Sequence, residues 1–200
     1  MVDVSAAIMA GGESARMGLD KAFLKIGDLT AVEFQFKKLR PLFEEIILST
    51  NTPEKFETLG IPAVPDLIPD KGPLGGIYTA LSNVKNHHLF VIACDMPCVS
   101  PALIKYMGKR CEGYDVVVPE TQRGLEPLHA IYSSACIPAI KKQLEGKGSG
   151  RVISFFPDVN VRIIKKEEIA GIEGGAEAFL NLNTPEDYRR ALELLKTRKT

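Results

Sequence analysis

The sequence lacks any net charge. Its 25 lysines and arginines are matched by 25 aspartates and glutamates, so no global field draws the chain to nucleic acid or to an anionic membrane surface. Attraction for phosphate has to come from local groups. No apolar run approaches the length that spans a bilayer, so no membrane segment is expected. The chain opens directly into a strand-like stretch, with no charged region followed by an apolar one, so no secretory leader is predicted. Cysteine is sparse: Cys94, Cys98, Cys111 and Cys136 do not have the spacing of a zinc site, and they read as small apolar core residues in a reducing cytoplasm. Internal repeats, low-complexity linkers and a Ser-His-Asp or Cys-His constellation are all missing, which leaves covalent acyl-transfer chemistry without a nucleophile–base pair.

What is present is an ordinary globular composition. With 45% hydrophobic residues over 200 positions, the chain can bury roughly 70% of the surface its unfolded form exposes, without a disulfide or metal staple. Apolar strands at Val4 to Ala10, Glu45 to Ser49, Pro62 to Val64, Leu89 to Cys94 and Asp115 to Pro119 alternate with helical patterns. Val32, Phe36 and Leu39 are spaced i, i+4, i+7, and Leu74, Ile77, Tyr78 and Leu81 are spaced i, i+3, i+4, i+7. Pro73 suits a first helical turn, and Ser100-Pro101 an N-cap and N1 pair. Leu128 to Tyr132 and Val161 to Ile164 read as strands, and Ala135 to Leu144 as a helix. A last helix starts at Thr184-Pro185. The pattern predicts a three-layer Rossmann-like α/β fold, a mostly parallel sheet with helices on both faces. A single domain over residues 1–200 is expected, with the C-terminal third edging the main sheet. In such sheets ligands bind beyond the carboxyl ends of the strands.

The most informative polar residues fall there. Met9-Ala10-Gly11-Gly12-Glu13-Ser14-Ala15-Arg16-Met17-Gly18-Leu19-Asp20-Lys21 runs from the first strand into two glycines. Glycine lets a ligand approach the main chain, and successive N–H groups in such a loop form an anion-binding nest. Arg16 and Lys21 add positive charge suited to phosphate. The loop is neither a Walker A sequence nor a Gly-x-Gly-x-x-Gly fingerprint. Asp95, in Cys94-Asp95-Met96-Pro97, follows a strongly apolar strand, where a charge needs a partner. Its hard oxygens suit Mg²⁺. His129, alone in an apolar strand, reads as structural, and His87 and His88 as exposed loop residues.

The first loop resembles the Leu-Ala-Gly-Gly-x-Ser-x-Arg-Met-Gly-x-Asp-Lys signature of the molybdenum cofactor guanylyltransferases, the MobA-type enzymes. Met9 in place of Leu is its one departure. The resemblance extends over nearly the whole chain, with Cys94-Asp95-Met96-Pro97 its second specific part. It implies a fold of the nucleotide-diphospho-sugar transferase type, with residues from about 1 to 115 as the nucleotide-binding half and those from about 116 to 200 as the acceptor-binding half. It also implies that GTP is bound by Met9, Ala10, Gly11, Gly12, Lys21, Asn51, Asp66 and Asp95. Lys21, Asp95 and Arg16 would be catalytic, and Asp95 would hold the metal, Mg²⁺. Glu126 in Gly124-Leu125-Glu126-Pro127, Arg151 after a Gly-Ser-Gly turn, and Asn181 and Asn183 in Asn-Leu-Asn-Thr-Pro are expected at the acceptor. That acceptor is molybdopterin or Mo-molybdopterin. Other cofactor-assembly proteins and molybdenum apoenzymes are the further partners implied. Gly11 stands where related cytidylyltransferases carry alanine, which would leave room for a purine. Alternatives are a cytidylyl- or sugar-phosphate nucleotidyltransferase of this fold, or a non-catalytic nucleotide-binding regulator, which would be expected to lack Lys21 or Asp95.

Overall fold

The computed structural model describes residues 4–11, 21–146 and 151–197. Strand β1 (Val4–Met9) is followed by the small hairpin β2 (Lys25–Ile26) and β3 (Leu29–Thr30), which leads into helix α1 (Ala31–Leu39). Then come β4 (Ile46–Ser49), β5 (Ala63–Val64), α2 (Gly72–Asn83), β6 (His88–Ala93) and α3 (Pro101–Gly108). The second half supplies β7 (Val116–Thr121), β8 (Gly124–Leu125), β9 (His129–Ser133), α4 (Ile137–Glu145), β10 (Val161–Ile164), α5 (Lys166–Ala170) and α6 (Pro185–Thr197).

The helix starts are chemically specified. Thr30 caps α1 in a reciprocal capping box with Glu33, and the Ser100 hydroxyl accepts from the Leu103 N–H at the start of α3. Thr184 and Asp187 exchange the equivalent bonds at the start of α6. Each device satisfies N–H groups that the first helical turn leaves open.

The main sheet has the order β10-β7-β9-β6-β1-β4-β5, with β8 hairpinned onto β7. Pairings among β6, β1, β4 and β5 are parallel, as is β7 with β10. Only β9 runs against both of its neighbours on this path, β6 and β7. The period of two along β1 divides the core. Ala6 and Ile8 pack with residues of α1, α3 and α5. Ala7 and Met9 pack with residues of α2 and α4 on the other face. A third cluster joins α6 to the β2–β3 hairpin through Ile26, Leu182 and Ala191.

The three-layer arrangement and mostly parallel sheet agree with the sequence pattern. Two placements differ. Of the strands β7, β9 and β10 only β10 ends the sheet; β9 is inserted between β6 and β7, paired on both sides and buried along its whole length. The chain doubles back after the β7–β8 hairpin, and the returning segment fills the gap beside β6. His88 is not a loop residue but the first residue of β6, half-buried because β1 and β9 flank it. None of the four cysteines is in a disulfide, and Cys94 is half-buried and the others buried. Among the described residues no helix is long and apolar enough to cross a membrane.

Candidate active site

Strand order brings the predicted residues together. With β1 between β6 and β4, the chain leaving each of these strands emerges at one end of the sheet. The Ala10 N–H donates to the Ser49 carbonyl, and the Cys94 N–H to the Met9 carbonyl. These bonds tie the start of the glycine loop to the strand ends on either side. Gly11 follows, and among the described residues nothing lies within 4 Å of where its side chain would project. Gly12 and Arg16 lie outside the described residues.

On the β6 side, Lys21 Nζ donates to Asp95 Oδ2 at 2.9 Å. Both side chains are mostly shielded, with 19% and 17% of their surface exposed. The same ammonium donates to Asn183 Oδ1 at 2.5 Å, and the Leu182 N–H donates to the Asp95 carbonyl at 2.9 Å. Lys21, the β6 terminus and the Asn-Leu-Asn segment, distant in sequence, therefore meet around one ion pair. Asp95 has the partner its charge requires.

On the β4 side, Asn51 and Asp66 form a reciprocal pair. Asn51 Nδ2 donates to Asp66 Oδ2 at 2.9 Å, and the Asp66 N–H returns a bond to Asn51 Oδ1 at 2.8 Å. The next N–H, of Leu67, donates to Thr79 Oγ1 of α2 at 2.8 Å. Helix α2 approaches so closely that a β-carbon at Gly76 would fall 2.4 Å from Met9 Cε and 3.6 Å from Asp66 Oδ1. A side chain at this position would have to displace the terminal methyl of Met9.

Glu126 is half-buried beyond β7. Thr121 Oγ1 donates to its Oε1 at 3.0 Å, and Arg123 stands 3.7 Å away. Burial pushes its carboxyl pKa up, while Thr121 and Arg123 oppose that shift. Arg123 also donates to the Phe179 carbonyl at 2.7 Å, which accepts from Asn181 Nδ2 as well. Beside these residues opens a cleft of about 610 Å³, with Glu120, Thr121, Arg123, Lys166, Glu167 and Phe179 in its walls. Arg151 stands apart, before the short 3-10 segment Val152–Asp158, whose Val152 and Phe155 pack on the α2 and α4 layer.

Two polar side chains escaped the sequence pattern. Gln35 of α1 is fully buried, whereas Phe36, expected in the core, is only partly so. Gln35 Nε2 donates to the Ala93 and Met96 carbonyls at 2.8 and 2.7 Å. Thr79 is likewise fully buried on α2. The signal for Gln35 was a polar residue between Val32 and Leu39 on an otherwise apolar stripe. His129 is buried between the rings of Phe90 and Phe179. Burial pushes its pKa down to about 3, so the ring is neutral and structural, as expected for a lone histidine in a strand. Among the described residues no three His, Cys, Asp or Glu side chains gather as a metal site.

A parallel-stranded, three-layer sheet with cationic and carboxylate groups at the strand ends defines a nucleotide-handling α/β transferase. The comparisons sharpen this. Residues 6–161 match the MobA-like NTP transferase domain. The probable molybdenum cofactor guanylyltransferase of Pelotomaculum thermopropionicum is 38% identical, covering 100% of this chain and 97% of that protein. The protein of the same description from Carboxydothermus hydrogenoformans is 35% identical, covering 100% of both. The crystal structure of molybdopterin-guanine dinucleotide biosynthesis protein A from Archaeoglobus fulgidus has the same fold, with a TM-score of 0.83 at 23% identity over 96% of this chain and 99% of that one. The chain belongs to the MobA-like NTP transferase family and is a nucleotidyltransferase.

Proposed function

We propose that the chain transfers GMP from GTP to the terminal phosphate of molybdopterin, or of its molybdenum-loaded form, in the cytoplasm. The products are molybdopterin guanine dinucleotide and pyrophosphate. The observation that carries this reading is the convergence of Lys21, Asp95 and Asn183 on one point at the sheet's carboxyl end. The full-length relatives described as molybdenum cofactor guanylyltransferases supply the nucleotide and the acceptor.

The acceptor is a phosphate monoester. With a second pKa near about 6 it is largely ionised at neutral pH, so it attacks without a catalytic base. An acceptor oxygen bonds to the α-phosphorus of GTP as the bond to the bridging oxygen breaks, and pyrophosphate leaves with that electron pair. The obstacle is repulsion between two anions. Lys21 opposes it with an ammonium already held in place by Asp95 and Asn183, so its charge needs no reorganisation during the reaction. In this reading Asn51 and Asp66 receive the nucleoside, and Asn183 orients the acceptor phosphate.

The residues fit a magnesium ion. Mg²⁺ is commonly held by one or two carboxylates together with substrate phosphates, and Asp95 offers a partly exposed carboxylate of this kind. When bound, the ion would neutralise phosphate charge beside Asp95. The cleft by β7 suits the ring of the acceptor. Ile131 of β9 pairs with both Phe90 of β6 and Val117 of β7, so β7, which leads to the cleft, runs parallel to β6, which leads to Asp95, two strands away. At about 4.8 Å per strand the two strands are roughly 10 Å apart at that level.

The test is incubation with molybdopterin, Mg²⁺ and each nucleoside triphosphate in turn, following pyrophosphate and the dinucleotide. GTP should give both products. Equal or better use of CTP would overturn the guanylyl assignment. Inversion at a chiral α-phosphorothioate is expected, and net retention would contradict direct displacement.

A further inference from the structure

The turn that carries Asp95 is fastened from three sides. The Cys94 N–H is tied to β1 through the Met9 carbonyl, and the Asp95 carbonyl accepts from Leu182. The third fastening comes from α1. Gln35 spends both hydrogens of its amide on the Ala93 and Met96 carbonyls, at 2.8 and 2.7 Å. These two groups bracket Asp95, and the Met96 N–H closes the same turn onto the Ala93 carbonyl at 3.1 Å. Gln35 is fully buried, and its Oε1 has no hydrogen-bond partner among the described residues.

That bare oxygen is informative. Burying an acceptor without a donor costs stability, and an apolar residue at this place would avoid the cost. It would also leave the Met96 carbonyl and the open side of the Ala93 carbonyl without donors. We infer that Gln35 is a positioning residue: its amide clamps the 93–96 turn so that the Asp95 carboxylate is held against Lys21 in the geometry the transfer requires. The helix that carries the clamp is itself fixed at its start by the Thr30–Glu33 capping box. The consequence for catalysis rests on the role proposed for Asp95; the clamp itself rests on the hydrogen bonds.

The experiment compares Gln35→Met, which keeps length and loses both donors, with Val32→Ala, which weakens the packing of the same helix face and leaves the carbonyls alone. Turnover with GTP, thermal melting and amide hydrogen exchange at Leu182 are read for each. Gln35→Met is expected to lose 10- to 100-fold in kcat, with faster exchange at Leu182 and a melting temperature no lower than that of Val32→Ala. Val32→Ala should keep kcat within about threefold. Gln35→Asn, which keeps the amide but falls one methylene short, serves the same comparison if Gln35→Met does not fold. A folded Gln35 variant with wild-type kcat and wild-type exchange at Leu182 overturns the inference. So does an equal loss of kcat in Val32→Ala. Wild-type protein without any transfer activity would instead overturn the proposed function, and unchanged exchange at Leu182 would then dispose of the clamp separately.

Discussion

Lys21 and Asp95 are 74 positions apart in the chain and 2.9 Å apart in the fold. Their ion pair joins the two most specific sequence motifs at the end of β6. Asp95→Asn keeps the size of the side chain and removes its charge. It should lower kcat by about 100- to 1,000-fold, with the fold intact by circular dichroism. Activity within a few-fold of wild type at saturating Mg²⁺ would remove Asp95 from the chemistry.

Asn51 and Asp66 hold one another through two hydrogen bonds, so each substitution also loosens its partner. Asn51→Ala and Asp66→Ala should each raise KM for GTP by about 10-fold or more, the worth of a hydrogen bond to a charged group. The double variant should lose less than the product of the two single losses, because the residues act as a unit. Full multiplicativity in steady-state kinetics would show that they act independently.

A methyl group at Gly11 meets nothing within 4 Å among the described residues. Gly11→Ala should therefore melt within a few degrees of wild type while selectivity changes. GTP use is expected to fall about 10-fold relative to CTP, since a methyl confronting a base is worth roughly 1–3 kcal/mol. An unchanged GTP-to-CTP ratio in a competition assay would disprove the steric account of base choice.

Arg123 ties the β7 cleft to the Asn-Leu-Asn segment through the Phe179 carbonyl. Arg123→Ala should raise KM for molybdopterin several-fold and leave the Kd for GTP unchanged by titration calorimetry. A change confined to GTP would place the acceptor ring elsewhere.

His129 makes stability depend on pH. Its folded pKa is pushed from the ordinary 6.5 down to about 3. Above pH 6.5 neither state takes up the proton, and the residue is without effect. As pH falls below 6.5 the unfolded chain binds a proton that the folded chain refuses, so stability is lost down to about pH 3. The loss is ~2 kcal/mol between pH 6.5 and 4.5. His129→Leu should remove that increment, read as the difference between the two proteins in denaturant midpoint at the two pH values. Parallel curves would mean that the buried ring takes up its proton at its ordinary pKa.

Much of this was legible along the chain. Apolar alternation, cap residues and the order of strands and helices are local properties, written in spacings of two and three to four residues, and they predicted the layered parallel sheet. The glycine loop and the aspartate after an apolar strand were legible too, because flexible main chain and a charge at the edge of a core each need a reason. The tertiary structure alone decided which strand lies beside which: β9 entered between β6 and β7 by long-range pairing that no local pattern encodes. It alone brought Asn183 to Lys21 across 162 positions and turned Gln35, an unremarked polar residue on an apolar helix face, toward the carbonyls around Asp95. Side-chain hydrogen bonds of that kind are fixed by packing in three dimensions, and packing is settled only when the whole chain has folded.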